Sequence, residues 1–162
     1  MIHIVFGATG AGKTTYAMQL AQELQAIRFS VDDWMKGLFF PDIKAEIEYS
    51  WALERVNRCE EQIWQVAQQV LGQGTPVVLE VSMTSKEQRD KQRQRAEQYG
   101  FDYSIYFLDV AQATRRDRVR QRNSEQGQTY SFEVTDDMFD FVEALFESPD
   151  EDELNTMQWI KN

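Results

Sequence analysis

The sequence contains a single cysteine and a single histidine among its 162 residues. With Cys59 alone, an internal disulfide and a cysteine-rich zinc site are both excluded. With His3 alone, histidine-based metal centres and a Ser-His-Asp triad are disfavoured. The chain also lacks an apolar stretch long enough to cross a bilayer, and no basic segment precedes its apolar start. We therefore expect a cytoplasmic protein with no membrane segment.

Positive charge is missing from one part of the chain. Residues 1–131 carry 16 Lys and Arg against 17 Asp and Glu, whereas the stretch from Phe132 to Ile160 has ten carboxylates and no cation. This acidic segment, residues 132–154, would repel a phosphate backbone and so disfavours nucleic-acid binding. Two interpretations of it stay open: a solvated helix face with a tail, or a surface for a protein partner.

No linker rich in Pro, Gly or Ser divides the chain, so we expect one domain over residues 1–162. Short apolar runs alternate with helical patterns along the sequence. The patterns predict strands at 2–6, 26–29, 76–81, 103–108 and 157–160, and helices at 14–24, 45–71, 85–99, 111–125 and 136–146. This alternation predicts an α/β fold with a mostly parallel sheet of about five strands, covered by helices on both faces.

One motif fits G-x-x-x-x-G-K-[ST] without a mismatch, and it lies directly between the first predicted strand and the first predicted helix. Glycines in such a loop let backbone N–H groups turn toward phosphates at a helix N-terminus. Lys13 would reach the β- and γ-phosphates, and the Thr14 hydroxyl would bind Mg²⁺. The predicted nucleotide contacts are Gly7, Ala8, Thr9, Gly10, Ala11, Gly12, Lys13, Thr14 and Thr15.

Carboxylates follow or end two of the predicted strands, at the edge of the sheet where ligands bind. Asp32 and Asp33 come after the second strand, where one of them could accept the proton of an attacking hydroxyl; we favour Asp32. The alternative is that one aspartate only caps the next helix. Glu80 ends the third strand and is expected near Mg²⁺ or its waters, the alternative being a plain ion pair with Arg89.

Five arginines fall within the eight residues from Arg115 to Arg122, inside one predicted helix. Arg115, Arg118 and Arg122 share one helix face, and Arg116 and Arg120 lie to one side. Arginines aimed at the γ-phosphate stabilise charge during phosphoryl transfer. We expect this role for Arg118 and Arg122, with Arg115 as a further candidate, and an ordinary solvated position for the other two.

With these motifs, the sequence resembles the bacterial AAA-type ATP-binding kinase family, which is related to zeta toxins, chloramphenicol phosphotransferase and polynucleotide kinase domains. The likeness extends from Ile2 to about Leu154. It implies a P-loop three-layer sandwich with a kinase-like helical lid, and ATP with Mg²⁺ as its ligands. Matched by position, Lys13 and Thr14 resemble the nucleotide and Mg²⁺ contacts, and Asp32 resembles the general base.

The resemblance also assigns the remaining site residues. The helix with Arg118 and Arg122 resembles the lid that folds over ATP, and Arg89 resembles an arginine that faces the acceptor. Two departures concern the acceptor side. The family often has Arg where this chain has Met35, which argues in particular against a zeta-toxin-like acceptor, a type that carries phosphates of its own. It also often has Asp and Gly where this chain has Glu80 and Ser82.

The function that these features favour is transfer of the γ-phosphate of ATP to a hydroxyl of a small molecule. Asp32, Lys13, Arg118 and Arg122 are the expected catalytic residues, and Asp32 and Asp33 would contact the acceptor together with Arg89. One alternative is a nucleotide-binding regulatory or interaction protein that uses the acidic segment to bind a partner. Another is a polynucleotide 5′-hydroxyl kinase, which the net negative charge of the chain disfavours.

Overall fold

The computed structural model of the chain describes residues 1–43, 48–127, 130 and 133–161. Within these residues the chain forms five strands and seven α-helices, with one short 3₁₀ turn at Phe40–Asp42. In chain order they are β1 Ile2–Phe6, α1 Lys13–Glu23, β2 Ile27–Ser30, α2 Val31–Leu38, α3 Tyr49–Gly72, β3 Val77–Glu80, α4 Lys86–Gln98, β4 Tyr103–Asp109, α5 Gln112–Glu125, α6 Asp136–Leu145, α7 Glu151–Leu154 and β5 Gln158–Lys161.

The strands form one sheet in the order β2-β3-β1-β4-β5, and every neighbouring pair is parallel. Because the order is not sequential, β1 lies at the centre, between β3 and β4. The sequence prediction of an α/β fold with about five mostly parallel strands is confirmed. The start predicted for the second helix, at residue 45, lies outside the described residues; the observed helix is α3.

Both faces of the sheet are covered by helices, which makes three layers. Alternate residues of β1 point to opposite faces: Ile2, Ile4 and Phe6 join a core with residues of α3 and α4, whereas Val5 packs with residues of α1. All five residues of β1 are buried. A strand buried on both faces is expected at the centre of a parallel sheet. The covered strand therefore fixes the loop that follows it, residues 7–12, at the carboxyl edge.

Two short elements were not predicted from the sequence. The helix α2 begins directly after β2, and Ser30 caps it by accepting a hydrogen bond from the Asp33 N–H at 3.4 Å. The helix α7 is a single turn, which Asp150 caps through its side chain. Within the described residues no helix is long and apolar enough to cross a membrane.

Candidate functional site

The loop between β1 and α1 takes the conformation that its glycines permit. Gly10 and Gly12 have φ values of 81° and 92°, in the left-handed region that other residues rarely adopt. A Cβ atom on Gly10 would lie 2.5 Å from the backbone oxygen of Arg115, so α5 packs directly against this loop. The loop ends at the N-terminus of α1, where unpaired N–H groups favour an anion.

Lys13 is the first residue of α1, and the loop before it holds its side chain. Its ammonium donates hydrogen bonds to the backbone oxygens of Gly7 at 2.9 Å and Ala8 at 3.3 Å. Burial lowers the pKa of Lys13 from its ordinary value, while the nearby carboxylates of Asp32 and Glu80 act in the opposite direction. A partly desolvated cation in this position is suited to a phosphate, which would replace the carbonyl oxygens as its partner.

Thr14 and Glu80 place side-chain oxygen atoms next to each other beside the loop. The Thr14 hydroxyl donates to Glu80 Oε2 at 3.0 Å, and Arg28 Nε donates to Glu80 Oε1 at 2.5 Å. Burial raises the pKa of Glu80, and Arg28, Thr14 and Lys13 oppose that rise. Glu80 therefore pairs with Arg28, and the alternative pairing with Arg89 is wrong.

The chemistry of this pair fits Mg²⁺, which prefers oxygen ligands. A hydroxyl and a carboxylate meet within one hydrogen bond, beside a loop shaped for phosphates. The part of the chain that the structure describes has no cluster of three or more His, Cys, Asp and Glu side chains that could hold a metal. Water and phosphate oxygens would have to complete the shell, as is usual for Mg²⁺ in nucleotide sites.

The two aspartates after β2 have different surroundings. Asp33 accepts a hydrogen bond from Arg28 Nη1 at 2.8 Å, so it belongs to the Arg28–Glu80 network. Asp32 is exposed and lines the cavities described below. Because Ser30 is the helix cap, the alternative that an aspartate side chain caps α2 is wrong. Both carboxylates lie in the first turn of α2, where the helix dipole favours negative charge.

The five arginines of α5 separate into two groups. Arg115 is buried, with its guanidinium bound to the Glu143 carboxylate and to the backbone oxygens of Thr9 and Val110. Arg116 and Arg120 pair with aspartates of α6 on the surface. These three arginines hold α5 against the phosphate loop and against α6.

Arg118 and Arg122 face the site instead. Both line a cavity, and neither forms an ion pair with any residue that the structure describes. Arg122 Nε is buried without a hydrogen-bond partner among the described residues. Burial lowers the pKa of Arg122, and the carboxylate of Asp32 partly offsets this effect. An unpaired, partly desolvated guanidinium beside a phosphate loop is a ready partner for phosphate oxygens.

Two cavities meet at these residues. The larger cavity is about 400 Å³ and lies between the phosphate loop, α5 and α6. The smaller cavity is about 200 Å³ and lies between α2, the end of β3 and the loop after it, and α6. Four residues line both: Thr9, Lys13, Asp32 and Val142. A group bound at Lys13 would therefore be reachable from either side.

Arg89 does not lie at this junction. Its side chain is 1% exposed, and its guanidinium donates two hydrogen bonds of 2.8 Å to the Glu153 carboxylate and a third to the Glu147 backbone oxygen. It lines neither cavity. The expectation that Arg89 contacts the acceptor is therefore not met, because its guanidinium is buried and bound to Glu153 of the acidic segment.

Sequence reasoning missed several residues of the site. Arg28 was overlooked, although a charged residue inside a short apolar strand is a signal for a buried partner. The parallel register pairs Ser30 with Glu80, which brings Arg28 next to that carboxylate. Val142 and Phe146 contribute to the cavity walls from the α6 region, for which the acidic composition gave no readable signal.

The chain belongs to the AAA domain family, whose sequence profile matches residues 2–149. This membership confirms the resemblance inferred from the motifs. No curated protein sequence matches the chain.

Solved structures with the same fold include several kinases. A candidate kinase from Chloroflexus aurantiacus has a TM-score of 0.74 at 15% identity, over 99% of this chain and 86% of that one. Kti12 from Chaetomium thermophilum, solved with ADP-AlF₃, has a TM-score of 0.70 at 16% identity, over 100% and 88%. A gluconokinase from Sinorhizobium meliloti has a TM-score of 0.65 at 14% identity, over 98% and 81%. The fold is thus that of P-loop kinases.

Proposed function

We propose that this protein transfers the γ-phosphate of ATP to a hydroxyl group of a small molecule. The observation that carries the proposal is the junction of the two cavities at Lys13 and Asp32. The larger cavity borders the phosphate loop and the two unpaired arginines, so it is suited to ATP. The smaller cavity opens onto the same lysine and aspartate from the other side, so it is suited to the acceptor.

The chemistry assigned to each residue follows from its position. The acceptor oxygen attacks the γ-phosphorus, the bond from that phosphorus to the β–γ bridging oxygen breaks, and ADP leaves. Asp32 accepts the hydroxyl proton, because it is the exposed carboxylate that lines both cavities. Lys13 binds the β- and γ-phosphate oxygens.

The remaining groups stabilise the negative charge of the phosphates. Thr14 and Glu80 would hold Mg²⁺, directly or through its waters; when bound, Mg²⁺ neutralises charge on the β- and γ-phosphates. Arg118 and Arg122 donate to the transferring phosphoryl group, whose oxygens carry the negative charge in the transition state. Val142 and the other apolar lining residues help to exclude water, which would otherwise compete with the acceptor.

The alternative of a regulatory protein that binds a partner through its acidic segment has less support. Six of the ten carboxylates of that segment have partners within the chain: Asp136, Asp140, Glu143, Glu147, Asp150 and Glu153. Much of the acidic charge therefore neutralises the arginine- and lysine-bearing helices α4 and α5 of the same molecule.

The proposal is tested by coupled ADP release with Mg²⁺-ATP, first alone and then with nucleosides, sugars, aminoglycosides and 5′-hydroxyl oligonucleotides. We expect one class of small hydroxyl compounds to raise the rate at least about tenfold over the rate with ATP alone, since a bound acceptor replaces water at an oriented site. A flat response across the panel together with tight ATP binding would contradict the proposal and favour the regulatory alternative. Stimulation by oligonucleotides only would favour the polynucleotide kinase alternative.

A further inference from the structure

The smaller cavity has little positive charge in its walls. Among its described lining residues Lys13 is the one cation, and Lys13 belongs to the phosphate loop. Two carboxyl groups, of Asp32 and Glu80, line the same cavity. Arg28 is the nearest further cation to Glu80, but both Glu80 and Asp33 already bind it, and it is not part of the lining.

The rest of the wall is apolar or carries neutral hydroxyl groups. The apolar lining residues come from β1, the phosphate loop, α2, α3, the loop after β3, and α6 with the residue that follows it: Val5, Phe6, Ala8, Val31, Val56, Val81, Met83, Val142 and Phe146. Thr9, Ser30, Ser82 and Thr84 contribute hydroxyl groups. Such a wall can pack against a carbon skeleton and exchange hydrogen bonds with hydroxyl groups.

A buried polar network holds the loop after β3 in place. Glu60 of α3 is 2% exposed and accepts a hydrogen bond from the Ser82 N–H at 2.6 Å. Gln92 of α4 donates to the Ser82 backbone oxygen at 3.2 Å and accepts from Trp64 Nε1 at 2.8 Å. Both backbone groups of Ser82 are thus fixed by buried side chains from two helices. The protein's own contacts therefore hold this part of the cavity wall in place.

Among the described lining residues, a phosphate or carboxylate on the acceptor would find no cation other than Lys13. The phosphate-loop residues Gly7, Ala8 and Thr9 also line this cavity, but their N–H groups bind ATP under the proposed function. Taking an anion out of water without a cation or a set of donors is strongly unfavourable. Lys13 cannot serve both ligands, because the γ-phosphate of ATP occupies it under the proposed function. The carboxylates of Asp32 and Glu80 would add repulsion.

We infer that the acceptor is a hydroxyl compound without phosphate or carboxylate groups, either neutral or cationic, with an apolar face. The inference rests on the proposed function and narrows its acceptor class. The cavity selects by exclusion of anions, since its walls favour a hydroxyl-bearing carbon skeleton and disfavour a second negative charge beside the γ-phosphate.

The test measures binding of matched compounds by ligand-observed NMR, with Mg²⁺ and a non-hydrolysable ATP analogue present so that Lys13 is occupied. The pairs are cytidine with cytidine 3′-phosphate and glucose with glucose 6-phosphate, and kanamycin serves as a cationic polyol. We expect at least one phosphate-free compound to bind, and phosphate to weaken binding at least about tenfold within its pair, about 1.4 kcal/mol. Tighter binding of the phosphorylated members, or no binding by any compound, would overturn the inference.

A substitution at Thr84 tests whether the wall of the smaller cavity causes the discrimination against phosphate. Thr84→Arg places a guanidinium in the wall and keeps the backbone hydrogen bonds of residue 84 to Gln88 and Glu147. We expect it to reduce the preference for the unphosphorylated member at least about tenfold, because the new cation can pair with phosphate. Thr84→Gln also introduces a longer polar side chain than threonine but stays neutral, so it should keep the wild-type ratio within about threefold. An unchanged ratio in Thr84→Arg would contradict the assignment to this wall.

The same compounds, assayed separately for ADP release with Mg²⁺-ATP, distinguish this inference from the proposed function. Binding of phosphate-free compounds without any ADP release from ATP would contradict phosphotransfer and leave the selectivity of the cavity intact. ADP release that only phosphorylated compounds stimulate would support phosphotransfer and overturn the inference about its acceptor.

Discussion

The arginines of α5 illustrate how the role of a residue depends on what its side chain contacts. Arg115, Arg116 and Arg120 are bound to carboxylates of α6, whereas Arg118 and Arg122 line the larger cavity without an ion pair among the described residues. Arg122 Nε is buried without a hydrogen-bond partner among the described residues, which is unfavourable. A hydrogen bond from this nitrogen to a ligand would offset the cost of its desolvation. The structure thus leaves two cations available to a phosphate.

Arg122→Ala should lower kcat for acceptor-dependent ADP release about 100-fold, because it removes a donor aimed at charge that develops in the transition state. The free energy of unfolding should change little, since Arg122 forms no ion pair with the described part of the chain. Steady-state kinetics and thermal unfolding of the variant measure the two effects.

Arg120→Ala is the matched control on the same helix. The Arg120 side chain is 58% exposed and pairs with Asp136 at the surface, where water screens the pair and its contribution to stability is small. Its kcat should stay within about twofold of the wild type. Equal losses of kcat in the two variants would show that the helix acts only as a charged surface.

At the scale of elements, the acidic segment is a tether for α4. Glu153 of α7 accepts hydrogen bonds from Nε and Nη2 of Arg89 and from Arg93. Lys86 of α4 forms an ion pair with Asp150, the residue before α7. Hydrogen bonds from Arg89, with further help from Arg93, lower the pKa of Glu153 from 4.5 to about 2. These contacts join α7 to α4, the helix that follows the loop after β3.

Glu153→Gln should lower the free energy of unfolding by about 3 kcal/mol at pH 7, because it leaves the Arg89 charge buried without its partner. The folded-state pKa of Glu153 lies below its unfolded value. Its contribution is therefore complete above about pH 4.5 and is lost as the pH falls toward about 2. Urea unfolding of both proteins between pH 7 and pH 3 measures the difference.

Asp152→Asn serves as the control for this prediction, because Asp152 is exposed on the same turn of helix. It should change the free energy of unfolding by less than about 0.5 kcal/mol. A difference between wild type and Glu153→Gln that does not narrow with falling pH would contradict the tether.

At the scale of the whole molecule, the sequence is enough to predict the fold class and the phosphate loop. Both follow from local patterns: the buried strand Ile2–Phe6, the glycines after it, and the helical spacing from Lys13 onward. Four further strands were also predicted within a few residues of their observed bounds. These features depend on neighbours in the chain.

The features that could not be predicted depend on residues far apart in sequence. Glu80 meets Arg28 because β2 lies beside β3, an order that only the assembled sheet defines. Arg89 is withdrawn from the site because Glu153, 64 positions later, binds it. A motif indicates which side chains can bind phosphate, but it does not indicate which of them another residue already holds.

The central claim is that Asp32 accepts the proton during phosphotransfer, and it is most directly tested by comparing two adjacent substitutions. Asp32→Asn should lower acceptor-dependent ADP release at least about 100-fold while ATP affinity stays within about twofold, because only the proton acceptor is lost. Asp33→Asn should have a much smaller effect, because Asp33 binds Arg28 and lines neither cavity. Full transfer activity in Asp32→Asn, measured with the acceptor found in the panel, would contradict the account.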